Sequence, residues 1–373
     1  MKEKLPEIRL LLTGGGTGGH LFPAVAAAQE FLWQLPETQV LFVGTERKVD
    51  TRSLKTYGFA SDSIKCYGLK GKNPLELLKA IATLPVSFYQ AGRIIRRFRP
   101  NIILGVGGYV TGPVVVAGKI LGIPTVIHEQ NSIPGLANRK LGPFVDRVCL
   151  SLPGSERYFS GEKIFYTGNP VRRNILELAK NPSLNVAGRN KKTLLILGGS
   201  QGAQAVNRLV SEGLQSLSNA LLGDLRVIHQ TGEQDFEVVN QGYEKRGIEA
   251  LVQPFFTDMA EIYSQADLLV SRAGATTLAE IAVLGKPAIL IPYPFAADNH
   301  QEKNADYYVA GGGAIVMRQH EIASDVLAEN IRQLIMNEER LIAMGLAMKK
   351  LAFPDAAEKI VACCLQVMEI NRS

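Results

Sequence analysis

The stretch IRLLLTGGGTGGHLFPAVAAAQEF, Ile8 to Phe31, predicts the architecture of the first half of the chain. Its first six residues are an apolar run typical of a buried strand, and AVAAAQEF is typical of a helix. Between them, every residue from Gly14 to Gly19 is glycine except Thr17. Such glycines allow a sharp turn and leave backbone N–H groups uncovered at a helix N-terminus. The stretch therefore predicts a strand–turn–helix unit that can bind an anion or approach a ligand closely.

Two common phosphate-binding motifs fit this stretch poorly. Gly14 and Gly19 have the spacing of a P-loop, but His20 stands where a P-loop needs lysine, and Pro23 follows. A dinucleotide fold needs an acid at the end of the second strand, and Glu46 after VLFVGT is a poor candidate. The pattern argues against an ATPase or a kinase, and a purely structural glycine turn is the alternative to a ligand site.

The second half opens in the same way, with TLLILGGSQGAQAVNRLV from Thr193 to Val210. Apolar runs alternate with helical stretches along the whole chain, which predicts the α/β class with parallel sheets. We expect two Rossmann-like, doubly wound domains that face a cleft in which ligands bind. The predicted strands are IRLLLT, VLFVG, NIILGVG, PTVIHE, RVCLS and IFYTG, then TLLILGG, RVIHQTG, ALVQPF, LLVSRAG, PAILIPYP and AIVM.

A polar segment, NPVRRNILELAKNPSLNVAGRNKK, separates the two sets of strands. It predicts an N-terminal domain over 1–172 and a C-terminal domain over 173–353, and we assign the last helix, within 354–373, to the first domain. The length of 373 residues and the hydrophobic content of 46% allow two ordinary cores. The four cysteines form no CxxC pair, which is typical of a reducing cytoplasm, and no apolar run is long enough to span a membrane.

The net charge of +6 comes from one region. From 70 to 99 the chain has seven basic residues and one acid, Glu76, interleaved with apolar residues. One interpretation is an ordinary surface helix pair broken near Pro85; the other is a basic, apolar surface that lies on anionic lipid. Nucleic acid is a poorer candidate, because we expect no interleaved exposed aromatics in this region and it contains no known recognition motif.

Two glycine-rich turns in the second half, GGSQGA and SRAGATTLAE, suit a diphosphate. Glu280 lies within the helix that Gly274 opens, where a carboxylate can accept hydrogen bonds from ribose hydroxyls. The alternative is a capping box, because Thr277 and Glu280 have the spacing of S/T-x-x-E. No D-x-D pair and no zinc-like His/Cys cluster occurs, so we expect no metal and no cofactor, with helix dipoles neutralising a leaving diphosphate.

Several longer motifs occur here in one order: GGGTGGHLFP, GLKGK, LGVGGYVTGP, HEQNSIPGLANR, TGNPVR, LGGSQGA, FFTDM, SRAGATTLAEI and DNHQEKNA. With them the chain closely resembles, over nearly its whole length, the MurG family of peptidoglycan glycosyltransferases, which have a GT-B fold. The resemblance implies transfer of N-acetylglucosamine from UDP-N-acetylglucosamine to the muramyl 4-hydroxyl of undecaprenyl-pyrophosphoryl-MurNAc-pentapeptide, with inversion. It also implies a peripheral enzyme on the cytoplasmic face of the bacterial inner membrane.

The resemblance also implies residue roles. His20 would be the general base, with Glu129 as its rival and a helix-start cap as the structural alternative for His20. The acceptor would lie near Tyr109 and His128. Donor-binding residues would be Thr17, Gly18, Gly19, Asn131, Arg172, Ser200, Phe256, Ala275, Thr276, Thr277, Leu278, Ala279, Glu280 and Gln301. Membrane-docking residues would be Lys70, Lys72, Leu75, Lys79, Phe88, Arg96 and Arg97.

Three other functions compete with this interpretation. A UDP-sugar 2-epimerase would share the two-domain fold but would need no lipid-facing region. Another lipid glycosyltransferase, such as a diacylglycerol galactosyltransferase, would share the donor half, but HEQN and GGYVTGP disfavour it. A non-catalytic lipid- or polyanion-binding protein would leave the paired glycine turns unexplained.

Ala275 and Leu278 replace the Ser and Val of other family members, and both changes keep the backbone N–H donors.

Overall fold

The computed structural model of the chain describes residues 7–15, 18–45, 54–68, 74–181, 191–199 and 202–371. Four residues with predicted roles, Thr17, Lys70, Lys72 and Ser200, lie outside these ranges, and so does the side chain of Leu75. The chain divides into two compact units, here called the N-terminal unit (Met1–Arg173 with Phe353–Ser373) and the C-terminal unit (Asn174–Ala352).

Each unit contains one parallel sheet. The order is β3-β2-β1-β4-β5-β6-β7 in the N-terminal unit and β10-β9-β8-β11-β12-β13 in the C-terminal unit. The first sheet consists of β1 (Arg9–Thr13), β2 (Gln39–Gly44), β3 (Ala60–Ser63), β4 (Ile102–Gly105), β5 (Thr125–Glu129), β6 (Arg147–Leu150) and β7 (Ile164–Tyr166). The second consists of β8 (Lys192–Leu197), β9 (Leu225–Gln230), β10 (Ala250–Gln253), β11 (Leu268–Ser271), β12 (Ala288–Leu290) and β13 (Ala314–Val316).

Helices connect most successive strands, as parallel pairing requires, and in the N-terminal unit they pack on both faces of the sheet. They are α1 (Gly18–Gln34), α2 (Pro74–Phe98), α3 (Thr111–Ile120), α4 (Leu136–Leu141), α5 (Arg173–Lys180), α6 (Gln204–Ser216), α7 (Asn219–Gly223), α8 (Phe236–Arg246), α9 (Met259–Gln265), α10 (Ala275–Leu284), α11 (His300–Ala310), α12 (Ser324–Ile335), α13 (Glu338–Lys350) and α14 (Ala356–Ile370). None of these described helices is both long and apolar enough to cross a bilayer.

Alternation along β1 explains the two layers of the N-terminal unit. Leu10 and Leu12 pack with α1 and α14 on one face of the sheet, whereas Leu11 packs with α2 and α3 on the other. A strand that is buried on both faces reads as a continuous apolar run. In the C-terminal unit, Leu194 and Ile196 of β8 pack in one core with residues of α6 and α12.

The prediction of two doubly wound α/β units is confirmed, and each predicted apolar run contains a strand. Strand β3 is not among the predicted strands, because its sequence ASDS is polar and the strand lies at the edge of the sheet. The expectation of a helix pair broken near Pro85 is wrong, since α2 is one helix of 25 residues. Ala80 and Ala91, on either side of the proline, are both buried, so packing on the sheet holds the helix through it.

Candidate active site

The glycine-rich turns lie at the point where each sheet reverses its strand order. In the N-terminal unit this point lies between β1 and β4, and in the C-terminal unit between β8 and β11. Ligands of open α/β sheets bind outside the carboxyl ends of the strands at such a switch point. The segments after these four strands are therefore the candidate site.

His20 lies on the first turn of α1, so the helix already includes the last residues of the glycine-rich turn. Its Nδ1 lies 2.9 Å from the backbone oxygen of Val106, after β4, and 3.2 Å from Oε1 of Gln130, after β5. Both oxygens can only accept a hydrogen bond, so Nδ1 carries the proton of the neutral ring. No described residue provides a hydrogen-bond partner for Nε2, whose lone pair can therefore accept a proton.

Two glycines allow the turn after β4 to approach His20. A Cβ on Gly107 would lie 2.9 Å from Cε1 of His20, and a Cβ on Gly108 would lie 2.7 Å from the backbone oxygen of Gly15. Both residues also have left-handed backbone angles, with φ of +98° and +84°. Only glycine satisfies both demands, which explains the GG of LGVGGYVTGP.

Glu129 is buried at the end of β5 and anchors the loop that follows. Its Oε1 accepts hydrogen bonds from the backbone N and from Nδ2 of Asn131, at 3.0 and 3.1 Å. Its Oε2 accepts from the backbone N of Gly135 at 3.1 Å and from Nδ2 of Asn138 at 2.8 Å. Both oxygens of the carboxylate are thus engaged by donors of its own loop and helix, and this geometry argues against the interpretation of Glu129 as the group that takes a proton from a substrate.

The expectation that His128 contacts the acceptor is also wrong, because this side chain is fully buried. Its Nε2 lies 3.1 Å from the backbone oxygen of Gly168, and its Nδ1 lies 3.0 Å from Nε2 of Gln130. Burial lowers the pKa of His128 to about 4, so the ring is neutral at physiological pH. The other predicted acceptor residue, Tyr109, is half-buried and lies beside Gly68.

We expect the buried histidines to make the folded state less stable in acid. Burial lowers the pKa of His229 to about 3, and that of His128 to about 4, against about 6.5 for an unfolded chain. Below pH 6.5 the unfolded chain therefore binds more protons, and the free energy of unfolding falls with pH until the folded pKa is reached. Between pH 7.5 and pH 5 each histidine should cost its own unit about 2 kcal/mol.

Urea unfolding at the two pH values tests this expectation. Replacing His229 with phenylalanine should flatten the pH dependence of the C-terminal unit, whereas replacing the exposed His320 with alanine should not change it. Equal pH dependence in wild type and in His229→Phe would contradict the argument.

In the C-terminal unit, α10 begins directly after Gly274, which is its N-cap and has an extended backbone. A glycine has no side chain that could accept a hydrogen bond from the first turn of the helix. The first turn of a helix directs its backbone N–H groups outwards, so this end of α10 is a candidate site for an anion. Thr277 is the third residue of α10 and not its N-cap, so the capping-box alternative is wrong. Leu278 is buried, and its backbone N–H donates to the backbone oxygen of Gly274 at 3.0 Å. Ala279, the next residue, is also buried. Burial of these two residues argues against the prediction that they bind the donor.

Glu280 is buried one and a half turns into α10. The hydroxyl of Tyr263, from α9, donates a hydrogen bond of 3.0 Å to its Oε2. Tyr263 therefore holds the carboxylate in one orientation. At the start of α11, Oε1 of Gln301 accepts from the backbone N of Tyr293 at 2.9 Å. The structure thus gives both predicted donor residues a fixed position.

Sequence reasoning missed Gln230, which lies at the end of β9. Its Nε2 donates to the backbone oxygen of Gly199 at 3.1 Å, and its Oε1 accepts from the backbone N of Phe256 at 3.1 Å. Gln230 therefore ties the glycine turn after β8 to the segment of Phe256, one of the predicted donor-binding residues. Since the N–H of Phe256 is engaged, its carbonyl is the backbone group that can meet a base.

Arg272 was also missed, although it stands in the SRAG motif. Its guanidinium donates to the backbone oxygens of Ile291 and Pro292 at 3.0 and 3.1 Å and to Oε1 of Gln319 at 2.7 Å. Burial lowers the pKa of Arg272 to about 10, so it stays charged at neutral pH. The arginine therefore holds the segment after β12. In the N-terminal unit, the guanidinium of Arg172 stacks on the ring of Phe22 at 4.3 Å.

The exposed side of α2 carries most of the described residues that were expected to dock on a membrane. Arg96 is exposed, Arg97 is exposed and pairs with Asp62, and Nζ of Lys79 lies 5.6 Å from the ring centre of Tyr67. Phe88 instead packs against the core of the N-terminal unit, so its assignment to the membrane surface is wrong. Apolar side chains are exposed on the same helix, namely Leu78, Ile81, Val86 and Tyr89.

Comparison with known proteins matches both halves of the chain to glycosyltransferase family 28. Residues 10–150 match the family's N-terminal domain, and residues 193–360 match its C-terminal domain. The UDP-N-acetylglucosamine–N-acetylmuramyl-(pentapeptide) pyrophosphoryl-undecaprenol N-acetylglucosamine transferase of Desulfotalea psychrophila is 55% identical over 98% of this chain and 97% of its own length.

Solved structures agree with these sequence matches. The crystal structure of Acinetobacter baumannii MurG aligns with a TM-score of 0.73 and 30% identity, over 97% of this chain and all of that one. A UDP-GlcNAc 2-epimerase from Neisseria meningitidis, bound to UDP-GlcNAc, aligns with a TM-score of 0.68 over 96% of this chain and all of that one, but at 15% identity it shares the fold alone. The chain therefore belongs to glycosyltransferase family 28 and, within that family, to the MurG transferases.

Proposed function

We propose that the protein transfers N-acetylglucosamine from UDP-N-acetylglucosamine to the 4-hydroxyl of the muramyl unit of undecaprenyl-pyrophosphoryl-MurNAc-pentapeptide. The relatives that cover the chain almost end to end carry this activity in their name. The observation that supports the chemistry best is His20, with its Nδ1 proton held by two oxygens and its Nε2 lone pair available at the switch point.

The reaction is a single displacement at the anomeric carbon. Nε2 of His20 takes the proton of the acceptor hydroxyl as its oxygen forms a bond to C1 of the sugar. The bond between C1 and the diphosphate oxygen breaks, and its electron pair leaves with UDP. Because the oxygen attacks opposite the leaving group, the α-linked donor gives a β-linked product.

The C-terminal unit supplies the donor site in this proposal. The first-turn N–H groups of α10 stabilise the diphosphate as negative charge develops on it. Glu280 accepts hydrogen bonds from the ribose hydroxyls, while Gln301, fixed by the backbone of Tyr293, contacts the sugar. In the N-terminal unit, Gly19 and Asn131 are further donor-binding candidates, and Glu129 anchors the loop of Asn131.

The acceptor's polyprenyl chain stays in the bilayer, so the enzyme must work at the membrane surface. We place the chain on the cytoplasmic leaflet, docked through the exposed side of α2. Cations beside exposed apolar side chains suit anionic headgroups above acyl chains. Arg96 and Leu78 represent the two kinds of contact, and both are exposed.

Replacing Arg96 and Arg97 with glutamine should weaken binding to anionic vesicles by about 1 kcal/mol per charge. Added salt should reduce wild-type binding as well, because the attraction is screened. Vesicle co-sedimentation measures both effects. Turnover of a short-chain, water-soluble acceptor should not change, since the substitutions leave the active site intact.

A matched control replaces two exposed cations on α13, Arg340 and Lys350, with glutamine. This variant loses the same charge and should bind vesicles nearly as well as the wild type. Equal losses in the two variants would show that only net charge matters. Equal loss of turnover on soluble and lipid-linked acceptors would show that the α2 arginines serve the active site instead.

UDP release in the presence and absence of the lipid-linked acceptor tests the proposed reaction. We expect release only with the acceptor, together with one sugar added to it for each UDP. An epimerase would instead change the configuration of the donor's sugar without any acceptor. A protein that only binds lipid would release no UDP in either case.

A further inference from the structure

A buried glutamine, Gln130, joins the two histidines of the N-terminal unit. Its Oε1 lies 3.2 Å from Nδ1 of His20, and its Nε2 lies 3.0 Å from Nδ1 of His128. The same Nε2 donates to the backbone oxygen of Val106 at 2.8 Å. The amide thus contacts the segments that follow β1 and β4 and a residue of β5, and these are three neighbouring strands of the sheet.

The orientation of this amide follows from the groups around it. The backbone oxygen of Val106 can only accept, so the NH₂ end of Gln130 must face it, and the carbonyl end must face His20. At the other end of the network, Nε2 of His128 faces the backbone oxygen of Gly168 at 3.1 Å and Oγ of Ser151 at 3.0 Å. The backbone oxygen can only accept and the hydroxyl can also accept, so Nε2 carries the proton of that ring. Its Nδ1 then has the lone pair that accepts from Gln130.

Two fixed acceptors, the oxygens of Val106 and Gly168, therefore set the direction of every hydrogen bond between the two rings. If the amide were reversed, its NH₂ group would face the proton on Nδ1 of His20. Its oxygen would then face the backbone oxygen of Val106. Both contacts would be repulsive, and Gln130 and Val106 are buried, where unpaired polar atoms are costly. Gln130 has therefore one stable orientation, and this orientation requires a proton on Nδ1 of His20.

We propose that Gln130 is a positioning residue, which keeps His20 in the tautomer that carries the proton on Nδ1 and so leaves Nε2 able to accept the proton of the acceptor hydroxyl. The catalytic consequence rests on the proposed role of His20, whereas the tautomer itself does not. A His20 with its proton on Nε2 would turn a donor towards the substrate and could not act as base. Val106 alone would still favour the correct tautomer, so loss of Gln130 should weaken the preference without abolishing it.

Nitrogen-15 NMR of histidine-labelled protein reads this tautomer directly, and the chain has only five histidines. The signals of His20 and His128 are assigned by their absence in His20→Gln and His128→Gln variants. In the wild type we expect the proton on Nδ1 of His20 and on Nε2 of His128. Finding the proton on Nε2 of His20 would overturn the proposal, whatever the variants show.

Replacing Gln130 with methionine keeps the length of the side chain and removes both polar ends. We expect mixed tautomers at His20 and a turnover about tenfold lower, with the KM for UDP-N-acetylglucosamine unchanged. Gln130→Glu still offers an oxygen to His20, so it should keep the proton on Nδ1 and recover part of the turnover. An unchanged His20 signal in Gln130→Met would refute the positioning role. If that variant does not fold, Gln130→Glu provides the test, and loss of the proton from Nδ1 of His20 in that variant would refute the role.

The C-terminal unit offers a matched control in Gln230, which also ends a strand and bridges two backbone groups. Gln230→Met should raise the KM for the donor and leave the His20 signal as in the wild type. A change of tautomer in both variants would mean that His20 responds to general loosening, which would refute a specific role for Gln130. If the tautomer shifts as expected but His20→Ala keeps its turnover, the positioning stands and the proposed base is wrong.

Discussion

Replacing His20 with alanine should lower turnover by about 10²- to 10⁴-fold, the usual contribution of a general base. Donor affinity and melting temperature should stay near those of the wild type, because the described contacts of the ring go to the oxygens of Val106 and Gln130 and not to the donor-binding unit. The acidic limb of the pH–rate profile should disappear with the imidazole. Steady-state kinetics across pH, with donor binding by calorimetry, measures all three effects.

The matched control is His320→Ala, because His320 is an exposed histidine on the C-terminal unit. It should keep wild-type turnover and the acidic limb. If His20→Ala kept most of its turnover with the limb intact, the base would lie elsewhere. If His20→Ala unfolded or lost donor affinity, His20 would serve as a structural cap at the start of α1.

Replacing Glu280 with alanine should weaken binding of the UDP-sugar by about 2–4 kcal/mol, because charge-assisted hydrogen bonds to two ribose hydroxyls are lost. That corresponds to a roughly 30- to 1,000-fold higher Kd. Calorimetry with UDP-N-acetylglucosamine measures the change, and thermal unfolding shows whether the fold survives. Glu280→Gln should lose less, since one amide oxygen can still accept.

Tyr263→Phe is the control for this prediction, since it removes only the hydroxyl that orients Glu280. It should weaken the donor by much less than Glu280→Ala does. Unchanged donor affinity in Glu280→Ala would make Glu280 a purely structural partner of Tyr263.

The fold was accessible from the sequence because its strands are buried on both faces. Runs such as LLLT and LLIL are continuous and apolar, and the glycines after them mark where each strand ends. The edge strand β3 could not be predicted in this way, because its sequence ASDS is polar and contains no apolar run. The start of α10 was predicted at Gly274. The capping-box alternative stayed open because the spacing of Thr277 and Glu280 fits a cap, and only the structure shows that Gly274 occupies that position.

The site was less accessible, because its contacts join segments that are distant in sequence. HEQN reads as four polar residues at the end of β5, but the sequence does not show that His128 is covered or that four donors hold Glu129. Gln130 has no signature of its own, and its position matters only because His20 and Val106 converge on it. A glutamine directly after a parallel strand, repeated as Gln230 at the end of β9, is the one signal that could have drawn attention to both.

The fold by itself does not distinguish transfer from epimerisation, since a UDP-GlcNAc 2-epimerase aligns at a TM-score of 0.68. The chemistry of the site does distinguish them. A single imidazole with one available nitrogen suits proton removal from an acceptor hydroxyl, and the exposed cationic and apolar side of α2 suits an acceptor held in a bilayer. The decisive difference therefore lies in the product.

The configuration of the new glycosidic bond tests the central claim most directly. The donor is supplied with carbon-13 at C1 of its sugar, the reaction is run with the muramyl acceptor, and the carbon–hydrogen coupling at that carbon is measured in the product. One displacement assisted by His20 predicts a β linkage to the muramyl 4-hydroxyl, with all remaining label in unreacted UDP-N-acetylglucosamine. An α-linked product, or label recovered in an epimerised UDP-sugar, would contradict the account.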